Sequence, residues 1–340
     1  MDSSASPWDL GVVGFLGLGA MGSGLVRRLS SRGIPLAVFD RTAARSEAVA
    51  AEGIRICESP AEAGREATSG IVFTALSNGE AVRSVLFGRQ GLARGLSTNG
   101  LVIDLSTIGP DESRSIARRL ASRQIHFLDA PMGGSVEAAA GGTLLLYVGG
   151  ESSDFERARP LLERVARRAE LLGATGAGSS MKLVNNLVTI GTIALASESL
   201  AIADRSGLDR RQVMDLLQSG GARSAMLEAK GKEFLERDYP PRFRLELAIK
   251  DLRLVERLAR SINQSARLTR EVRRLYDEAA SAGARDRDFS AVFEAALQRP
   301  SSRGHRAPSP ASGSGVATPA PPAVSRPEED RASDREIASR

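Results

Sequence analysis

Near its amino terminus the chain passes directly from an apolar strand into a glycine-rich turn and then into a helix. Val12 to Leu16 has the apolar run of a buried strand, and apolar residues continue at helical spacing as far as Leu29. Between them lies the sequence Gly17-Leu18-Gly19-Ala20-Met21-Gly22. A G-x-G-x-x-G turn placed between a strand and a helix predicts a dinucleotide-binding site, whereas the same glycines alone could serve only to pack the helix.

The three glycines have separate expected roles. Gly17 allows the tight turn, Gly19 lets the backbone approach a pyrophosphate, and Gly22 permits close packing of helix on strand. The free N–H groups and the positive end of the helix then face the phosphates. We therefore assign the whole turn, with Leu18, Ala20 and Met21, to the cofactor site.

An acidic residue follows the next strand. Pro35 to Phe39 reads as a second buried strand and ends on Asp40, about where a carboxylate should meet the adenosine ribose. Leu76 and Ser77, at the end of a later strand that begins at Ile71, are assigned to the same cofactor site.

Length and charge restrict the class of protein. A chain of 340 residues is longer than one core usually supports, so two folded domains are expected. The net charge of +5 and pI of about 9.8 could suggest nucleic acid. Arginines are, however, dispersed among acids, as in Arg118-Arg119 and Arg167-Arg168, which read as solvated helix faces, and aromatic residues make up only 4%. We expect no nucleic-acid partner.

The cellular setting is predicted from a few features. The single cysteine, Cys57, fits a reducing compartment and reads as a small buried residue. Met1 to Asp9 lacks the pattern of a secretory signal. Met181 to Ala203 is apolar, but polar residues interrupt it, so a buried helix is favoured over a membrane span. The sequence predicts a cytoplasmic protein without a membrane partner.

The order of elements predicts an α/β fold: an N-terminal Rossmann-type, doubly wound parallel sheet followed by an all-α C-terminal domain. Strand patterns at Ile71–Leu76, Leu101–Asp104 and Ile125–Leu128 alternate with helical ones such as Asp111–Ala121. A strand over Thr143–Val148 and a helix from about Ser152 to Ala169 should complete the first domain.

After Gly178 strand signals disappear. Helical patterns begin near Met181, Asp209, Phe243, Ala266 and Phe289. The predicted division is a flexible N-terminus over 1–10, a dinucleotide-binding domain over 11–175, a helical substrate and oligomerisation domain over 176–300, and a disordered, Pro- and Ser-rich tail over 301–340.

The first helix of the second domain carries the strongest catalytic candidate. Lys182 and Asn186 are one helical turn apart and so share a face, with Asn185 beside them. Burying a lysine would lower its pKa toward a range useful for proton transfer. A lysine that only extends from the helix start to solvent is the structural alternative.

Four motifs in order resemble the β-hydroxyacid dehydrogenase family, which includes 3-hydroxyisobutyrate dehydrogenases and tartronate semialdehyde reductases. They are Gly14 to Gly22, Asp104-Leu105-Ser106-Thr107, Gly176 through Lys182 to Asn186, and Phe243 through Lys250 to Leu252. The resemblance covers about residues 13–298. It implies that Thr107 lies near the nicotinamide ribose, that Lys250 approaches the cofactor, and that Lys182 is catalytic.

One further motif departs from the family pattern. Asp129-Ala130-Pro131-Met132-Gly133-Gly134-Ser135 stands where many members have D-A-P-V-S-G-G, so Gly133 occupies the position of a serine that contacts the substrate carboxylate. Gly133 and Gly134 could still offer N–H groups to an anion, and Ser135 a hydroxyl from a displaced position. We assign these three residues, with Asn185 and Asn186, to the substrate site.

The resemblance implies hydride transfer between a nicotinamide and a small carboxylate-bearing β-hydroxy acid or its semialdehyde, with Lys182 as general acid and base. Asp40 favours NAD, whereas Arg41 and Thr42 look like the pair that grips the phosphate in NADP-using relatives. A homodimer or homotetramer is expected from the same resemblance. With only His126 and His305 in the chain, no metal site and no Ser-His-Asp triad are predicted.

Two other functions stay open. The basic pI and the tail also fit a non-catalytic nucleotide-binding or chromatin-associated module of the same fold. An imine reductase on a related scaffold is the other alternative, although such relatives generally replace the lysine.

Overall fold

A computed structural model of the chain describes residues 11–298; the predicted flexible N-terminus and disordered tail lie outside the described residues. The described residues belong to one compact unit. Its first half is built on a parallel sheet with the strand order β3-β2-β1-β4-β5-β6. The strands are β1 (Val13–Leu16), β2 (Leu36–Phe39), β3 (Ile54–Ile56), β4 (Ile71–Thr74), β5 (Leu101–Asp104) and β6 (His126–Asp129).

The predicted Rossmann-type fold is confirmed, because the strand order reverses between β1 and β4, the position at which such sheets bind ligands beyond the strands' carboxyl ends. Five helices connect the strands: α1 (Ala20–Ser30), α2 (Ala43–Glu47), α3 (Pro60–Glu66), α4 (Gly79–Phe87) and α5 (Pro110–Ala121). Leu25, Val26 and Leu29 of α1 are buried against Val13 and Phe15 of β1.

A second, three-stranded sheet follows: β7 (Met132–Gly133), β8 (Leu144–Val148) and β9 (Ala166–Leu171), with α6 (Val136–Gly141) and α7 (Ser152–Val165) between strands. The prediction that one helix continues to Ala169 is wrong, because α7 ends at Val165 and the next residues pair in parallel with β8. Arg167 and Arg168 are solvated as expected, but on a strand. Pairing with β8 supplies backbone hydrogen bonds that the local sequence does not reveal.

The second half is helical, with α8 (Ala177–Arg205), α9 (Arg210–Ser219), α10 (Ala225–Glu236), α11 (Leu245–Ser261), α12 (Arg267–Ala279) and α13 (Val292–Leu297). Within residues 176–298 it contains no strand, only an isolated bridge between Arg244 and Asp288. The sequence prediction missed α10. Its signal was Ser224, whose hydroxyl accepts a hydrogen bond from Leu227 N and caps the helix.

Helix α8 is central to the helical half. Ile190, Ile193 and Leu200 of α8 are buried together with Phe234, Tyr276 and Phe293. It is the one helix within residues 11–298 that is long and apolar enough to cross a membrane, and half of its most apolar window is buried inside the protein. The predicted buried helix is therefore a core helix of the helical half. Cys57 is buried as well, and its burial raises the pKa of the thiol to about 11.

The start of α8 is fixed by a residue from the sheet. Gly176 precedes the helix and offers no side chain to cap it. Asp129, the last residue of β6, accepts hydrogen bonds of 2.7 Å from Gly176 N and Ser179 N. The carboxyl group is buried, and this burial raises its pKa to about 6 while the two N–H donors oppose the increase. Asp129, although distant in sequence, therefore caps the N-terminus of α8.

Gly178 allows α8 to approach the backbone of β6 and β8 closely. A Cβ at this residue would lie 2.1 Å from the carbonyl oxygen of Tyr147 and 2.6 Å from that of Asp129. Any larger residue would push α8 away from β6 and β8, so the position of everything that α8 carries depends on these contacts.

Replacing Asp129 with alanine should lower the free energy of unfolding by about 2 kcal/mol, because two buried N–H groups lose their acceptor. Urea denaturation at neutral pH measures the change. Asp238→Ala is the matched control, since Asp238 is exposed and should matter by less than about 0.5 kcal/mol. Equal unfolding free energies for the two variants would contradict the capping role.

Candidate active site

The glycine turn has the geometry that a dinucleotide site requires. Gly17 has φ +98°, and a Cβ there would lie 2.4 Å from Ala75 O. A Cβ at Gly22 would lie 2.0 Å from Gly17 O. Gly19 faces open space, and no acidic side chain occupies the first turn of α1. The turn therefore presents free N–H groups and a helix N-terminus to an anion, which fits the pyrophosphate of NAD(P).

Asp40 connects the glycine turn to the end of β2. Its carboxylate accepts hydrogen bonds of 2.8 Å from Leu18 N and from Thr42 N, and Arg45 lies 3.8 Å away. The carboxylate oxygens retain lone pairs for ribose hydroxyls, while the neighbouring guanidinium groups of Arg41 and Arg45 could bind a phosphate. The end of β2 therefore offers both a carboxylate suited to ribose hydroxyls and guanidinium groups suited to a phosphate.

A cleft of ≈ 820 Å³ runs along the carboxyl ends of the strands. Of the residues that the sequence assigned to the cofactor, only Leu18 does not line it, because Leu18 is buried and contributes its N–H to Asp40 instead. The others that line it are Gly17, Gly19, Ala20, Met21, Gly22, Asp40, Arg41, Thr42, Leu76, Ser77, Thr107 and Lys250.

Several cationic residues of the cleft were missed by the sequence prediction. Arg45, Arg89, Arg242 and Arg244 line it. Arg244 lies within the Phe243–Leu252 motif but was given no role there, and the other three belong to no motif that we recognised. Only their dispersion along the chain, which reads as surface charge, was visible. Together they make the cleft attractive to anions.

The loop after β5 is held by buried polar contacts. Thr74 Oγ1 donates to Asp104 Oδ1 at 2.7 Å, and Leu76 N donates to Ser106 Oγ at 2.9 Å. Asp104 is fully buried, which raises its pKa to about 6, and its Oδ2 has no partner among the described residues. These contacts fix Thr107 at the edge of the cleft.

Lys250 of α11 links the helical half to this edge of the sheet. Its Nζ donates to Thr107 O at 2.7 Å and to Ser77 O at 3.1 Å, and it lies 3.1 Å from Asp251 Oδ1. The amine thus already binds two of the loops assigned to the cofactor. Lys250 lines the same cleft as the glycine turn.

The polar residues of α8 meet Asp251. Asn186 is buried, and its Nδ2 donates to Asp251 Oδ2 at 2.7 Å. Asn185 Nδ2 donates to Asn186 Oδ1 at 3.1 Å. Asn186 is therefore fixed in orientation, and with it the face of α8 that also carries Lys182.

Lys182 has the electrostatics of a proton-transfer group. Burial lowers the pKa of its ammonium to about 8; the Asp251 carboxylate raises it and the Lys250 ammonium lowers it further. Within residues 11–298 no hydrogen bond or salt bridge holds its Nζ, so the amine is available to a ligand. It is not among the residues that line the cleft, whereas its electrostatic neighbours Lys250 and Asp251 are.

The loop with the unusual sequence lies next to the cleft. Met132 and Val136, on either side of it, line the cleft, but Gly133, Gly134 and Ser135 do not. Gly134 has φ +138°, a conformation that favours glycine. Ser135 Oγ accepts a hydrogen bond of 3.3 Å from Ala138 N and so caps α6, which makes its hydroxyl part of the helix cap.

His126 is the only histidine within the described residues. Its Nδ1 lies 3.0 Å from the Asp154 carboxylate at the half-exposed start of β6, and it does not line the cleft. In residues 11–298 no cluster of three or more histidine, cysteine, aspartate or glutamate side chains is placed to hold a metal.

Two family models match consecutive parts of the chain. The NAD-binding domain of 6-phosphogluconate dehydrogenase matches residues 12–176, and the NAD-binding domain of NADP-dependent 3-hydroxyisobutyrate dehydrogenase matches residues 176–296. Together they span both halves of the fold and the cleft between them. The chain belongs to the β-hydroxyacid dehydrogenase family.

Individual relatives agree with this assignment. Glyoxylate/succinic semialdehyde reductase 1 of Arabidopsis thaliana is 32% identical over 83% of this chain and 97% of its own length. The structure of 3-hydroxyisobutyrate dehydrogenase from Salmonella typhimurium superimposes with a TM-score of 0.77 at 29% identity, over 84% of this chain and 99% of that one. The cytokine-like nuclear factor N-PAC of Homo sapiens is 30% identical over 87% of this chain, which spans about half, 53%, of that protein.

Proposed function

We propose that this NAD(P)-dependent oxidoreductase interconverts a small carboxylate-bearing semialdehyde and its β-hydroxy acid, with Lys182 as general acid and base. The observation that carries the proposal is the lowered pKa of Lys182 at the junction of the two halves of the fold, beside the ordered pair Asn186 and Asp251. The substrate class follows from the reductase and the dehydrogenase that the chain resembles.

The proposed chemistry uses this chain's residues in three ways. As an ammonium, Lys182 polarises the substrate carbonyl and donates a proton to its oxygen; as a neutral amine, it accepts the hydroxyl proton in the reverse direction. Asn185 and Asn186 orient the substrate against the lysine, and N–H groups of the Gly133–Ser135 loop bind its carboxylate. The bound nicotinamide supplies or accepts the hydride.

The finer cofactor assignment is NAD. Asp40 stands where the adenosine ribose is expected, and a carboxylate binds ribose hydroxyls but repels a 2′-phosphate. Arg41 and Arg45 oppose this preference, because their guanidinium groups attract a phosphate. The fixed position of Asp40, held by two N–H donors, supports NAD.

We also propose that the protein is a cytoplasmic homodimer or homotetramer. Helix α8 carries an exposed apolar stripe at heptad-like spacing, formed by Met181, Val184, Val188, Leu195 and Ile202. Val188 is 65% and Leu195 69% exposed, so an apolar face about as long as the helix has no cover within the described residues. A second copy of the stripe would bury it in the manner of a coiled coil.

A second candidate function rests on the similarity to N-PAC. The observation that favours a non-catalytic role for the same fold is a relative of similar identity whose name is that of a nuclear factor. A protein that turns over no aldehyde acid but binds duplex DNA in a salt-dependent manner would have this second function. The available amine of Lys182 favours catalysis.

Replacing Lys182 with alanine should reduce turnover at least about 100-fold, while the cofactor still binds. The assay is a spectrophotometric panel of glyoxylate, succinic semialdehyde and 3-hydroxyisobutyrate with both nicotinamides. Lys232→Ala is the matched control, since Lys232 is a highly exposed lysine of α10. Retained turnover in Lys182→Ala would refute the role.

In the wild type, reduction should slow and oxidation should accelerate as the pH rises through about 8, because the required ammonium becomes a neutral amine.

Catalytic efficiency should be higher with NADH than with NADPH, since Asp40 repels a 2′-phosphate. In Asp40→Asn the preference should shift toward NADPH, because the repulsion is removed and Arg41 and Arg45 remain. Comparing kcat/KM for both cofactors in both proteins measures this. A large preference of the wild type for NADPH would overturn the assignment to NAD.

Substituting glutamate for Val188 should convert the oligomer to a monomer, because it places a charge in the centre of the buried stripe. Light scattering measures the mass. Ile262→Glu serves as the control, since Ile262 is also 65% exposed but lies at the end of α11. A monomeric wild type would contradict the oligomer.

A further inference from the structure

The space beside Gly133 is occupied by a tyrosine from the neighbouring strand. β7 and β8 are antiparallel, with Gly133 opposite Leu145. A Cβ at Gly133 would lie 2.7 Å from the hydroxyl oxygen of Tyr147, 3.1 Å from Cζ and 3.2 Å from Cε2. A side chain at position 133 therefore requires the phenol of Tyr147 to move from its place in this structure. The position of the Tyr147 phenol thus depends on the glycine at position 133.

Tyr147 also touches the polar face of α8. Its hydroxyl donates to Asn185 Oδ1 at 3.2 Å, and Asn185 is one helical turn from Lys182. From Asn185 the hydrogen bonds continue through Asn186 to Asp251, which lines the cleft. The phenol thus lies between the Gly133 loop and the residues that surround Lys182.

No other hydroxyl within residues 129–135 of this loop competes for the same role. Gly133 and Gly134 have no side chains, and the only hydroxyl there, that of Ser135, caps α6. Tyr147, in contrast, is half-buried, and its neighbour in the chain, Leu146, points into the core. Burial raises the pKa of the phenol, so the hydroxyl stays protonated and able to donate at neutral pH.

We propose that the Tyr147 hydroxyl binds the carboxylate of the substrate, taking the place of a hydroxyl at position 133, and so determines the selectivity for acids. This rests on the proposed function. The ring extends from β8 over Gly133, and a bound carboxylate would accept the hydrogen bond that the phenol donates to Asn185 Oδ1 in the structure. The missing side chain at Gly133 leaves the space that the phenol occupies.

Tyr147→Phe keeps the ring and removes only the hydroxyl. The KM for the acid substrate should rise about 10- to 100-fold, the loss expected for one hydrogen bond to a charged group, while kcat changes less than about threefold. The KM for the cofactor should not change. The discrimination between succinic semialdehyde and the neutral aldehyde butanal should fall by the same factor as the KM rises.

Tyr239→Phe is the matched control. It removes a phenol hydroxyl that is bonded to Glu294 in the helical half, and it should leave the KM for the acid unchanged. An exchanged pair tests the geometry. Tyr147→Leu should raise KM as Tyr147→Phe does, and adding Gly133→Ser to Tyr147→Leu should bring KM back to within about fivefold of the wild type. Gly133→Ser alone should impair the protein, because its Cβ meets the phenol.

The outcomes separate this inference from the function on which it rests. If the wild type reduces no member of the panel, the proposed function and the inference both fail. If the wild type is active and Tyr147→Phe has an unchanged KM, only the inference fails. A fall in kcat that the added Gly133→Ser substitution does not rescue would show that Tyr147 merely positions Asn185, and this too would overturn it.

Discussion

The hydrogen bonds from the start of α8 to Asp129 are the constraint on which the site depends. They join the last strand of the parallel sheet to the helix that carries Lys182, Asn185 and Asn186. Because both carboxylate oxygens are used, the helix is fixed in direction as well as in position. Gly178 then allows the helix to touch the backbone of β6 and β8. The backbone at Lys182, on the second turn of a helix held in this way, is therefore fixed relative to the ends of the strands, which favours proton transfer at one position.

Local features of the site could be predicted from the sequence, because each depends on residues close together in the chain. The glycine turn needs only a strand before it and a helix after it, and Asp40 needs only the end of the next strand. The parallel sheet follows from the alternation of elements. The errors arose where tertiary contacts override the local pattern. Residues 166–169 continue a helical pattern but pair with β8. For α10, the capping residue Ser224 indicates the helix more clearly than the spacing of its apolar residues does.

The contacts that assemble the site could not be predicted, because they join distant parts of the chain. Lys250 reaches Thr107 across 143 positions and Ser77 across 173, and Asn186 reaches Asp251 across 65. A motif indicates that a lysine matters, but it does not say which carbonyls the amine binds. Tyr147 is the clearest case, since nothing in its own strand distinguishes it from a core residue. Only the antiparallel pairing of β7 with β8 brings its phenol over Gly133.

The buried carboxylates explain why this arrangement is costly and still retained. Burial raises the pKa of both Asp104 and Asp129 to about 6. Between about pH 4 and pH 6 both carboxyl groups are therefore protonated in the folded chain, whereas in the unfolded chain they are ionised. Stability therefore gains from these two groups as the pH falls from about 6 toward 4, because protonation removes the cost of burying each charge. What the carboxylates supply is orientation: Asp104 holds the loop of Thr107, and Asp129 holds α8. The two buried carboxylates therefore fix both a loop and a helix that carry residues of the candidate site.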